Sequence, residues 1–103
     1  MRGMQDMLRQ AQMMQKKMAA MQEDLKAREV EATSGGGMVT VRAKGSQEIL
    51  SIVIDKSVVE AGDVEMLQDL VLAAVTDAMK KAKAMMEEEM GKITGGFKLP
   101  GMF

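Results

Sequence analysis

The sequence predicts an α+β fold in the order α-β-β-β-α, a three-stranded antiparallel sheet flanked by two long helices. Three observations carry this: an early apolar seam at steps of three and four, three successive stretches that alternate apolar with polar residues, and a late apolar segment at helical period. With 103 residues and 47% hydrophobic content, the chain is long enough for one domain and apolar enough to fold. We expect that domain over residues 1–90 and a flexible tail over residues 91–103.

The first helix is read over residues 4–26, in the stretch MQDMLRQAQMMQKKMAAMQEDL and its flank. Met4, Met7, Ala11, Met14, Met18, Met21 and Leu25 alternate in steps of three and four, the pattern of a helix that seeks a partner helix. Methionine is flexible and polarisable, so the seam suits a helical hairpin or an adaptable binding face, and ordinary buried core is the favoured reading.

Period two then takes over. REVEATS from Arg28, MVTVRAK from Met38 and EILSIVID from Glu48 alternate and are rich in β-branched residues, as strands are. Gly35, Gly36 and Gly37 separate the first two strands, and Gly45 with Ser46 separates the next two, which makes an antiparallel meander the economical topology. The glycine triplet lacks the lysine and following helix of a phosphate-binding loop, so it reads as a turn.

After Asp55 the alternation stops, and Asp63 is placed to cap a second helix that runs to about Met90. Projected as a helix, it shows one apolar stripe of Leu67, Val71, Ala74, Ala78, Ala82 and Met85, and a second of Leu72, Val75, Met79, Met86 and Met90. One stripe covers a sheet. The other needs a second surface, so we expect a seam in which Met7, Met14, Met18 and Met21 meet Met79 and Met86. Helices of about 35 Å overhang strands of about 23 Å, and a protomer that overhangs its own core is expected to dimerise.

Composition removes several functions. The chain has no Cys and no His, which leaves no disulfide, no thiolate or imidazole metal ligand and no conventional nucleophile–base pair; no enzyme, metal, cofactor or small-molecule substrate is expected. The methionines fall at core spacing with no His or Cys beside them, which argues against a soft-metal site. No signal-peptide core and no apolar run of bilayer length occurs, so a cytoplasmic protein without membrane association is expected.

Charge is balanced overall at −1 and uneven along the chain. Residues 1–21 carry four basic and one acidic side chain, residues 80–103 five basic and three acidic, and residues 22–79 five basic and eleven acidic. Arg2, Arg9 and Lys16 recur every seven residues opposite the methionine seam, about 10.5 Å apart, with Lys17 alongside. Lys80, Lys81 and Lys83 form a second group, and an antiparallel pair of helices is expected to bring both groups to one distal tip. Such a row follows a phosphate backbone without regard to sequence. The competing reading is a solvated face with intrahelical pairs such as Asp77 with Lys81 or Lys83 with Glu87.

The segments QAQMMQKKMAAMQEDL, EVEATSGGGMVTV, SIVIDKSVVEAGDVEMLQDLVLAAVTDAMKKAK and GGFKLPGMF, in that order, together resemble the YbaB/EbfC family of bacterial nucleoid-associated proteins. The run from Ile54 to Ala78 is the densest part of the match. Two positions depart from the pattern: Lys56 stands where a proline is common, and Thr76 where an asparagine is common. The resemblance implies a tweezer-shaped homodimer, a nucleoid location and binding to double-stranded DNA with little sequence preference.

Only Phe97 and Phe103 are aromatic, so platforms that stack single-stranded bases are not expected and duplex DNA is the better ligand. A different class of function remains: methionine-rich amphipathic helices also serve as protein-interaction or chaperone-like modules, and the tail GKITGGFKLPGMF has the Phe and Leu to dock a partner.

Overall fold

The computed structural model describes residues 2–96, with side chains described for residues 3–92. Six elements follow one another: α1 (Arg2–Ala27), β1 (Glu29–Ser34), β2 (Val39–Lys44), β3 (Ile49–Ile54), α2 (Lys56–Glu60) and α3 (Val64–Gly96). The strands form one antiparallel sheet in the order β1-β2-β3, with Ala32 opposite Val41 and Val41 opposite Ile52.

Gly35, Gly36 and Gly37 all take positive φ at the first hairpin, a conformation that costs other residues strain, and the Gly37 N–H donates to the Ser34 carbonyl at 3.2 Å. The second hairpin closes between Lys44 and Glu48, where Gln47 takes the left-handed conformation at φ 67°. The register slips between Arg42 and Ala43, whose partners are Ser51 and Ile49, leaving Leu50 as the extra residue of a bulge on an edge strand.

The core is built from small residues. Ala74, Ala78 and Ala82 recur every fourth residue on α3, all fully buried, and let the helix settle closely onto β1 and β2. Beneath them Ala32 of β1 and Val39, Val41 and Ala43 of β2 are buried in one cluster, flanked by half-buried Val30, Ile54, Leu70, Val71, Val75 and Met79. Two polar contacts fix the alignment. The Ser34 hydroxyl donates to the Leu70 carbonyl at 2.6 Å, and Lys81 Nζ donates to the Glu31 carbonyl at 3.0 Å, so β1 and α3 run antiparallel.

Asp63 caps α3 as expected, accepting from the Met66 N–H at 3.0 Å. The short helix α2 was not legible from periodicity, because five residues are too few to display one. Asp55 caps it, accepting from the Ser57 N–H and hydroxyl, both at 2.9 Å, and Val58 is its single buried anchor.

The structure differs from the sequence reading at four points. First, α3 continues through residues 91–96, so the segment read as tail begins as helix; residues 97–103 lie outside the described residues. Second, the expected methionine seam does not close within the protomer. Met7 is 69% exposed, Met14 and Met21 are exposed, and Met18 is half-buried, while Met79 joins the sheet-facing core and Met86 lies against the second hairpin. The cause is the junction at Arg28: one residue separates α1 from β1, so α1 leaves the body near Leu25, and its last turns lie beside α3 in the stretch from Met85 to Lys92. Third, the second stripe of α3 is left partly open, with Leu72 65% exposed. Fourth, the stripe of α3 expected to cover the sheet packs on β1 and β2, so Leu50 and Ile52 on β3 are exposed, with Ile54 half-buried at the edge of the core.

The result is long and thin, 74 × 25 × 16 Å, with a radius of gyration of 20.5 Å. A compact chain of this length has about 13 Å.

Candidate nucleic-acid interface

Helix α1 holds 26 residues, about 39 Å, and stays exposed nearly throughout until it reaches Leu25, the one buried side chain it contributes. It forms because its residues are strong helix formers, Ala, Met, Gln, Lys and Glu, and not because a core holds it. Arg9, Lys16 and Lys17 project from this arm and are exposed. Arg2 begins α1, and its side chain lies outside the described residues.

The second group sits elsewhere. Lys80, Lys81 and Lys83 lie in the middle of α3, at the level of β1, where Lys81 reaches the Glu31 carbonyl. Leu25 marks the level of Met85 and Met86, since all three crowd the same face of Gly45. Arg9 is about 24 Å out along α1 from Leu25, and Lys81 about 6 Å to the other side of that level, a separation of about 30 Å. The two groups therefore do not meet at a common tip. Sequence reasoning put the lysines near a helix end because it placed the sheet at one extremity; α3 instead spends its central turns on the sheet and carries the lysines there.

Ion pairing sorts the basic side chains. Lys26 pairs with Glu23, Arg28 with Asp24 and Glu89, Arg42 with Glu29, Lys44 with Glu48, Lys81 with Asp77 at 3.7 Å, and Lys92 with Glu88 and Glu89. Among the described residues, Arg9, Lys16, Lys17, Lys80 and Lys83 have no ion pair, and Lys56 is the other basic side chain in that position. The expected Asp77–Lys81 pair is present; Lys83 is not held by Glu87. Lys81 is the candidate with two partners of its own, which makes it a strut between helix and strand.

One basic residue was missed. Lys26, in the last turn of α1, borders the same groove as Lys83, on either side of the Gly45–Gln47 hairpin. Its position in the acidic middle of the chain hid it, and only the fold of α1 against the hairpin brings it beside Lys83.

Nothing among the described residues resembles a metal centre, since no group of three or more acidic side chains converges, and no helix there is long and apolar enough to cross a membrane. What the geometry defines is a class: a small α+β protein whose exposed helical arm carries unpaired positive charge. The chain belongs to the YbaB/EbfC DNA-binding family, whose family model matches residues 1–97.

Relatives agree over nearly full length. A nucleoid-associated protein of Alkaliphilus metalliredigens is 51% identical over 101 residues, covering 98% of this chain and 89% of the relative. Another, of Caldanaerobacter subterraneus, is 53% identical over 98 residues, covering 95% and 88%. The crystal structure of an uncharacterized protein from Helicobacter pylori matches with a TM-score of 0.60 at 28% identity, over 85% of this chain and 98% of that one.

Proposed function

We propose that the protein is a homodimeric, nucleoid-associated component of the cytoplasm that binds double-stranded DNA with little sequence preference. The observation that carries this is the exposed, unpaired row of Arg9, Lys16 and Lys17 on an arm that stands clear of the body. Arg2 extends that row in sequence, and Lys80 and Lys83 offer a second cationic patch on each protomer. Lys81, engaged with Glu31 and Asp77, contributes mainly to alignment of α3. Membership of a DNA-binding family and the naming of its relatives as nucleoid-associated support the same reading. Positive charge on a helix meets phosphate regardless of the bases beneath, which is why little sequence preference follows.

Dimerisation rests on uncovered apolar surface. Ile49, Leu50, Ile52 and Val53 on the edge strand β3, Leu72 on α3, and Met4, Met7, Met13, Met14 and Met21 on α1 are exposed, more than one soluble protomer of this size leaves open. A second copy is the partner that covers them.

Salt-dependent retardation of duplex DNA tests the function. If a dimer engages about six phosphates, log K falls against log salt with a slope near −5. The double variant Arg9→Glu with Lys16→Glu is expected to lose most affinity at matched salt, for all sequences alike, with its mass and helicity unchanged. Undiminished affinity in that variant moves the DNA site away from α1. A dimer that retains no DNA at any salt leaves the exposed methionines Met4, Met7, Met13, Met14 and Met21 as the functional surface, that of a protein-interaction or chaperone-like module.

A further inference from the structure

The hairpin between β2 and β3 and the adjoining turns of α1 and α3 border a groove of about 430 Å³, whose lining includes Lys26, Ser46, Gln47, Lys83 and Glu87. Backbone contacts fix its shape. The Ser46 N–H donates to the Lys26 carbonyl at 3.2 Å, the Gly45 N–H to the Arg28 carbonyl at 2.8 Å and the Gln47 N–H to the Lys44 carbonyl at 2.8 Å, so hairpin and foot of α1 are joined without the use of a side chain.

The polar side chains are thereby left over. Among the described residues the Ser46 hydroxyl and the Gln47 amide have no hydrogen-bond partner, Lys83 has no ion pair, and Lys26 has only Glu23, at 3.7 Å, whose side chain is 77% exposed. A pair so open is worth little, because water screens it. Gln47 also takes φ 67°, where glycine or asparagine costs less, so a longer amide side chain is kept at the groove against local strain. Donors from Lys26, Ser46, Gln47 and Lys83 thus line one groove with a single carboxylate, that of Glu87. Such a set suits a ligand that accepts on every side, an oxyanion.

The place of the groove on the molecule selects among oxyanions. Lys26 follows Lys16 by about 15 Å along α1, or about four phosphate steps of about 3.4 Å along one strand of a duplex. A duplex that follows the arm inward from Lys16 reaches the groove at its foot. We propose that this groove holds one backbone phosphate of duplex DNA in each protomer, with Lys26 and Lys83 on either side of it and Ser46 and Gln47 donating from the hairpin. The proposal rests on the DNA-binding reading above and adds to it an anchor on the body, so that the duplex is gripped at the foot of the arm as well as along it.

Lys26→Gln with Lys83→Gln in the full chain is the test, with Lys56→Gln plus Lys92→Gln as a control that removes the same charge elsewhere. In salt-dependent retardation of a duplex, the groove variant is expected to give a slope of log K against log salt shallower than the parent's by about 2, from about 0.9 for each of two phosphates in a dimer, and the control to keep the parent's slope. Glu87→Gln is expected to tighten binding, and Glu88→Gln, which does not line the groove, to leave it unchanged. A parental slope in the groove variant, or an equal change in variant and control, overturns the proposal and leaves DNA binding by the arm in place. Inorganic phosphate is the second probe, read at the amide resonances of Ser46 and Gln47: shifts with phosphate, in a chain whose duplex slope the groove variant does not alter, assign the groove to a free phosphate and overturn the proposal equally. A parent that retains no duplex at any salt removes the proposed function, and the duplex phosphate in the groove with it.

Discussion

At the scale of single residues, two positions set conditions that neighbouring elements obey. The Asp55 carboxylate accepts hydrogen bonds from the backbone and the hydroxyl of Ser57, and these hold its pKa below the ordinary 3.8. A depressed carboxylate contributes stability that is present above its unfolded value and is lost as pH falls below about 3.8 toward the folded value. Thermal melts between pH 5 and 2.5 are therefore expected to show a smaller acid-induced fall for Asp55→Asn than for the parent, since asparagine caps without titrating. Gly45 is the second position. A Cβ there runs into the Leu25 carbonyl, with the Met85 methyl at 2.8 Å behind it, and the Gly45 N–H donates to the Arg28 carbonyl at 2.8 Å. Gly45→Ala is expected to cost about 1–3 kcal/mol in chemical unfolding, by prising α1 from the hairpin. Sequence alone marked Gly45 as a turn residue; its duty as the seat of α1 comes from a contact with a backbone atom twenty residues away, which no local pattern records.

At the scale of elements, α3 decides what the sheet can bury. Its alanines at 74, 78 and 82 are legible in the sequence as part of one stripe, and the structure buries all three. Ala78→Leu is expected to destabilise by about 1–3 kcal/mol, measured by thermal or urea unfolding, because Val41 and Ala32 leave no space for a larger side chain. The strands, their order and the Asp63 cap were legible for the same reason: they depend on local period and turn chemistry. The fate of the second stripe and of the methionine seam was not. Apolar spacing says that a face needs a partner, yet whether that partner is the next helix or another molecule depends on the exit direction of α1, fixed by Arg28 and Gly45 together. Arg9, Lys16 and Lys17 are exposed along α1, while their separation from Lys80 and Lys83 follows from where α3 crosses the sheet.

At the scale of the whole molecule, the protomer is too extended to close its own core. Sedimentation equilibrium at micromolar concentration is expected to give twice the 11.2 kDa chain mass, and Ile52→Lys with Val53→Lys on the open strand is expected to shift it toward a single chain. A parent that stays at 11.2 kDa removes the dimer from the proposed function. The slenderness of α1 has a further, purely geometric effect. An arm of about 39 Å that leaves the body near Arg28 has the geometry of a lever: a tilt of about 10° at the foot would sweep its free end through about 7 Å, close to two base-pair steps of rise along the axis of duplex DNA. If the arm binds duplex DNA as proposed, a lever with that travel is expected to tolerate errors of placement along it, which leaves no fixed frame from which to read the order of bases.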